Sequence, residues 1–218
     1  PERQPVTTGP AREVILGRVR TALGRDRATV TIPRDYRRPP GPRPADPVEL
    51  FVERVDDYKA TVHRVAESQL AATVARLLAA HGTTSVAVPA DLPPAWLGAV
   101  PSTVTVRPDD PALSVAELDG TDSVVTAAAV AVAETGTVVL AGGPGQGRRA
   151  LSLIPDHHVV VVWAQQVVPG VPEAVARLEP TAPQTWISGP SATSDIELNR
   201  VEGVHGPRHL DVVVVGPA

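Results

Sequence analysis

Four consecutive valines, Val159 to Val162, run without any polar alternation inside a stretch from His158 to Trp163. A strand that shows one face to water alternates apolar and polar residues, so this run belongs to a strand covered on both faces. Further β-branched runs at Ser123–Ala128, Thr137–Ala141, Thr185–Ile187 and Leu210–Val215 are bounded by glycine, proline or polar turns. Aromatic residues make up only 3% of the chain, so the core has to be built from Val, Leu, Ile and Ala, the makings of β-branched strands under Ala-rich helices. The expected fold is α/β, a three-layer open sheet of mostly parallel strands.

The first half alternates helix and strand. Phe51, Val55 and Tyr58 share one face of a helix over Val48–Tyr58, and Ala60–Ala66 suits a short strand. Ser68 is placed to cap a helix through Leu70, Val74, Leu77 and Leu78, which Gly82 ends. Short strands follow at Thr84–Val88 and Thr103–Val106, with a helical turn over Pro93–Leu97 between them. Later helices are expected over Pro172–Leu178 and after Gly189.

This α/β domain is expected to span 47–218, preceded by a basic Pro/Arg-rich arm over 1–46. The arm carries a short helix over Ala11–Leu23, striped by Ile15, Val19 and Leu23, and then a proline-rich linker from Pro33 to Pro47. Residues 1–43 hold ten of the 20 basic residues and four acids, a balance of +6, and the remainder carries −10. The arm lacks aromatic interleaving beyond Tyr36 and the body would repel phosphate, so nucleic acid is not the expected partner. No cysteine is present, which excludes disulfides, thiolate zinc, a cysteine nucleophile and a cysteine-ligated iron–sulfur cluster held by this chain alone. No cofactor bound by the chain alone is expected. No apolar run approaches a membrane span, so membrane insertion is not expected and a cytoplasmic location is the default.

Polar, turn-forming residues crowd the last third. Glu134-Thr135-Gly136 sits between two strands, where a carboxylate held against apolar neighbours would have a raised pKa and suit a general base or nucleophile; a simple turn cap is the plainer reading. Gly142 to Arg149 is glycine-rich but has neither the lysine and hydroxyl of a P-loop nor a dinucleotide fingerprint. Its arginines, Arg148 and Arg149, could grip a carboxylate or phosphate in two-point contact. In Asp156-His157-His158, strand alternation sends one histidine to each face of the sheet, so the pair cannot easily share a metal. One of them with Asp156 and distant His205 is a weak ligand set, and no metal site is expected. Ser188-Gly189-Pro190-Ser191-Ala192-Thr193 follows a strand and is expected to open a helix, where free amides attract anions at the carboxyl ends of the strands. Arg200, Gly203, His205, Gly206 and Arg208 form a loop whose glycines allow close approach and whose cations could complete a pocket.

Taken together, AETGT, GRRALSLIPDHHVVVV, SGPSATSDIE and RVEGVHGPRHLDVVVVG resemble the lactate-utilization protein C family, the LUD-domain group, over roughly residues 48–216. The resemblance implies a fold related to the ribose-phosphate isomerase, glucosamine-6-phosphate deaminase and CoA-transferase group. It also implies a part in oxidising L-lactate to pyruvate, in a three-protein system whose other two members carry iron–sulfur clusters. The resemblance does not bring a settled catalytic residue; from the residues themselves, Glu134 or His205 is expected to handle a proton. Thr135, Gly136, Arg148, Arg149, Ser188, Gly189, Ser191, Thr193 and Arg208 are expected to hold a small carboxylate or phosphate. Two other readings stand beside it. One is a non-catalytic assembly subunit whose polar loops dock the partners. The other is a stand-alone enzyme resembling CoA-transferases or sugar-phosphate isomerases that uses Glu134, although Thr135 replaces the Asn usual before the glycine in the transferase group.

Overall fold

The computed structural model describes residues 10–24, 31–33, 46–193, 201–202 and 205–216. The chain divides into two units, 1–40 and 41–218. The first contains helix α1 (Pro10–Leu23), matching the expected arm helix. Most of the proline-rich linker, residues 34–45, lies outside the described residues.

The larger unit runs α2 (Pro47–Asp57), β1 (Thr61–Val65), α3 (Leu70–Ala80), β2 (Ser85–Val88), β3 (Thr105–Pro108), α4 (Val115–Asp119), β4 (Ser123–Ala127), β5 (Val130–Val132), β6 (Thr137–Leu140), β7 (His157–Trp163), β8 (Val167–Val168), α5 (Val171–Arg177), β9 (Thr185–Ile187), β10 (Ala192–Thr193), β11 (Val201–Glu202) and β12 (His209–Val215). Six strands form a central sheet in the order β1-β12-β7-β4-β2-β3, with every neighbouring pair parallel.

The valine runs are explained by what lies on either side. Val159 and Val161 of β7, with Val213 and Val215 of β12, pack under Leu70, Val74, Leu77 and Leu78 of α3 and under Trp96. Val160, Val162, Val212 and Val214 point the other way, against Phe51 and Val55 of α2 and against Ala131, Val138 and Leu140. Each strand residue is therefore buried whichever way it points. At roughly 1.5–3 kcal/mol for a fully buried aliphatic side chain, this two-sided burial is the dominant favourable term in the domain.

The sequence reading differs from the structure in several places, among them the sheet that some strands join and one helix cap. Thr137–Ala141 and Thr185–Ile187 do not join the parallel sheet. They are β6 and β9 of a second, mixed sheet in the order β8-β5-β6-β9. The turn at 133–136 folds β6 back antiparallel on β5, pairing Thr137 with Val132, and three- or four-residue apolar runs carry no signal of which sheet they enter. Ser68 does not cap α3; it lies in a 3₁₀ turn, Glu67–Gln69, and no side chain caps the helix that follows. The helix expected after Gly189 falls largely on residues 194–200, which lie outside the described residues; on either side of them β10 pairs antiparallel with β11.

Candidate functional site

The parallel register sets Ser123, His157 and His209 side by side at the amino edge of the central sheet. Their odd-numbered neighbours Asp211 and His63 point to the same face. Asp211 is buried, its side chain only 5% exposed. His63 Nε2 lies 2.8 Å from its Oδ1, and His157 Nε2 lies 2.9 Å from its Oδ2. His81, which ends α3, brings Nε2 to 3.2 Å from the same Oδ2, with its ring stacked on His157 at 3.8 Å between centroids. His209 tilts against His81 at 4.9 Å. Behind His157, Nδ1 meets Ser123 Oγ at 2.9 Å, and Ser123 Oγ meets Thr83 Oγ1 at 2.6 Å.

A buried carboxylate has a high desolvation cost unless it is paired and hydrogen-bonded. Burial pushes the Asp211 carboxyl up, but the bonds from His157 and His63 outweigh it, and the group ends below the ordinary carboxylate range. For His81, burial and the neighbouring His157 pull the imidazole below its ordinary value against the opposing pull of Asp211.

The opposite face carries a cavity of about 250 Å³ beneath β9. Arg149, His158, Trp186, Ser188, Ser191 and His205 are among the residues that line it. His158 is fully buried. Its Nε2 bonds Thr126 Oγ1 at 2.8 Å, while Nδ1 has no partner among the described residues. Burial, helped by His157, pushes its pKa down to about 3, so it is a neutral imidazole with one ring nitrogen to spare. No ion pair involving Arg149 occurs among the described residues. The loops that close the cavity are strapped together, His205 N donating to Ser191 Oγ at 3.0 Å and Ser191 N to the Pro207 carbonyl at 2.8 Å.

The cavity gathers Arg149, Ser188, Gly189, Ser191 and His205 from the sequence candidates, and its lining does not include the others. Arg148 is engaged elsewhere. Its Nε donates to Asp109 Oδ2 at 2.7 Å and its Nη2 to Asp109 Oδ1 at 3.0 Å and to the Leu113 carbonyl, so its fork ties a loop together. Arg208 Nε donates to Asp156 Oδ1 at 2.6 Å, which removes Asp156 from the ligand set considered with His205. Glu134 is exposed, contrary to the expected burial: its amide bonds the Pro169 carbonyl at 3.1 Å, and the turn faces the backbone of α2 rather than a pocket. Thr135 and Gly136 belong to that turn, and Thr135 Oγ1 connects through Thr137 Oγ1 to Ser188 Oγ at 2.7 and 2.8 Å. Thr193 lies on β10; Ser194 to Arg200 and Gly203 are outside the described residues.

The cavity also opens at an unexpected end. His158 and Leu210 stand at the amino ends of β7 and β12, whereas the larger cleft at the carboxyl ends, about 720 Å³ among Glu67, Ser68, Trp163 and Gly216, has neither histidine nor cation in its lining. Alternation correctly divided His157 from His158. Which residues each would meet depended on strand pairing, and so His63, His81, Asp211, Ser123 and Thr126 gave no local signal.

An all-parallel six-stranded sheet, α3 on one face and α2 with a small mixed sheet on the other, with polar clusters on both faces of its amino edge, defines an α/β domain built around a buried sheet edge. The LUD domain model matches residues 48–215, and the chain belongs to that family. It is 47% identical over 184 residues to a lactate utilization protein C of Deinococcus radiodurans, covering 81% of this chain and 84% of that protein. A protein of the same name from Geobacillus kaustophilus is 32% identical over 170 residues, covering 68% and 69%. The crystal structure of a DUF162 family protein from Deinococcus radiodurans superposes with a TM-score of 0.66 at 41% identity, covering 78% of this chain and 96% of that one.

Proposed function

We propose that this chain takes part in lactate utilization, in a cytoplasmic system that oxidises L-lactate to pyruvate with two iron–sulfur partner proteins, and that the cavity beneath β9 holds the small carboxylate. The name of its relatives supports the first half. The second rests on one observation: an arginine without a carboxylate partner among the described residues and a buried histidine with a spare nitrogen line the same small cavity.

Oxidation of lactate removes two electrons and two protons. The electrons pass to the partners' clusters, since this sequence has no cysteine to hold one alone. Arg149 grips the carboxylate, where a guanidinium matches two oxygens at once. His158 suits both ends of the reaction. With Nε2–H donated to Thr126, Nδ1 accepts a bond from the lactate hydroxyl; with Thr126 donating instead, Nδ1–H donates to the pyruvate carbonyl. His205, at the rim, takes the hydroxyl proton; the second proton is the one released from the lactate Cα, whose C–H bonding pair supplies the two electrons passed to the partners.

The parallel six-stranded sheet supports kinship with the ribose-phosphate isomerase, glucosamine-6-phosphate deaminase and CoA-transferase group. A transferase using Glu134 has less support, because that carboxylate is exposed and outside the cavity; an acyl adduct trapped on Glu134 is the result that would revive it. A docking subunit has specific support from Trp186 and Leu153, which line the cavity yet remain 39% and 37% exposed.

Lactate-dependent dye reduction by the two purified partners separates these readings. Activity should require this chain and fall at least tenfold with His158→Phe, while partner binding persists. Activity that requires the chain but ignores His158→Phe assigns it to docking, and activity without the chain removes it from the reaction.

A further inference from the structure

We propose that His81, His157 and Asp211 bind one divalent transition-metal ion of the zinc type, at the amino edge of the sheet and on the face opposite the carboxylate cavity. The proposal does not depend on the lactate reading.

The donor set comes first. Two imidazole nitrogens and one carboxylate oxygen, all within 4.8 Å of one another, match the ligand chemistry of Zn²⁺ and its neighbours rather than that of Ca²⁺ or Mg²⁺, which favour oxygen. The spacing is close to what binding needs. A tetrahedral ion with bonds of about 2.05 Å has ligand atoms about 3.3 Å apart. Asp211 Oδ2 already sits 2.9 Å from His157 Nε2 and 3.2 Å from His81 Nε2, so two edges of the polyhedron need to open by only a few tenths of an ångström.

The supporting groups are those a metal site uses. His157 is fixed from behind by Ser123 and Thr83, which orient the ring so that Nε2 faces Asp211. His63 holds the other carboxylate oxygen, Oδ1, leaving Oδ2 for an ion. A carboxylate that served packing alone would be satisfied by His63 and His157; the third imidazole aimed at the same oxygen supplies a further ligand, and its ring, now stacked on His157 at 3.8 Å and 23°, tilts away when both Nε2 atoms turn to one ion. The His81 side chain is 30% exposed, which gives an ion a way in and leaves a fourth position on that side for water or another ligand.

Full-length chain stripped with a chelator is titrated with Co²⁺, read by visible absorption, and with Zn²⁺, read by calorimetry and by the rise in Tm. One equivalent should bind saturably at micromolar concentration, with a visible Co²⁺ band showing fewer than six ligands. Because His81 lies at the surface, His81→Ala should keep the fold by circular dichroism and lose affinity at least tenfold. His63→Gln should weaken binding less, and His205→Ala, across the sheet, should leave it unchanged. Absence of saturable binding by the parent overturns the proposal, as does binding that survives His81→Ala or disappears with His205→Ala.

Discussion

Asp211 and His157 sit on adjacent parallel strands, with Oδ2 of one 2.9 Å from Nε2 of the other, both side chains at most 5% exposed and 54 residues apart in sequence. Such a pair holds two strands in register only while both members are present. Asp211→Asn removes the charge that three imidazoles face and puts an amide in its place. Breaking one side of a buried ionic network costs about 3–5 kcal/mol. The expected outcome is a clear drop in the urea midpoint with an unchanged m-value.

A second ion pair contributes to the response to acid. Burial raises the Asp109 carboxyl, but the Arg148 fork and the Leu113 amide draw it down further, and it ends below its ordinary 3.8. Its folded value is thus lower than its unfolded one, so the unfolded chain takes up the proton first. The stabilisation is complete above about pH 4–5 and is lost as pH falls through the folded value. Arg148 is 40% exposed, so solvent screens the pair and the effect is modest. Tm followed from pH 6 down to about 2 should fall less steeply in Arg148→Ala than in the parent.

The turn between β5 and β6 tolerates no side chain at Gly136. Its φ is +57°, and an added Cβ would lie 2.7 Å from Arg54 C, 2.8 Å from Arg54 O and 2.9 Å from Val55 N. These are backbone atoms of α2 and cannot swing aside as a side-chain end could. Gly136→Ala should therefore cost more than the roughly 1 kcal/mol of backbone strain alone, reaching about 3 kcal/mol. A thermal shift within one degree of the parent would show that α2 and the turn can separate freely. Packing of this kind also accounts for the glycine in Glu134-Thr135-Gly136 without any catalytic role.

The parallel sheet was legible because Val159 to Val162 cannot be half-exposed, and the helices and turns of the first half followed from proline, glycine and apolar spacing, although the cap expected at Ser68 did not. Assignment of β6 and β9 to a second sheet was not, since Thr137–Leu140 and Thr185–Ile187 are equally apolar in either place. Among the polar residues, local pattern recognised the loops but not their partners. Arg148 and Arg149 are identical neighbours in sequence, and only the fold gives Asp109 to the first. Asp211 reads as the start of an ordinary valine strand, yet three histidines from three other segments converge on it.

The contrast between those two arginines supplies the sharpest test of the carboxylate cavity. Arg148 is committed to Asp109 and Leu113, so Arg148→Gln should lower stability and leave lactate handling intact. Arg149 lines the cavity and has no ion pair among the described residues, so Arg149→Gln should leave Tm nearly unchanged while weakening hold on the substrate. An interaction made equally with substrate and transition state appears in KM rather than kcat. Loss of a two-point guanidinium contact should then raise the KM for lactate by roughly 10–100-fold, with kcat within a few-fold of the parent. Steady-state kinetics of the reconstituted three-protein system decide it: an unchanged KM in Arg149→Gln, or a matching rise in Arg148→Gln, would mean that the carboxylate is held elsewhere.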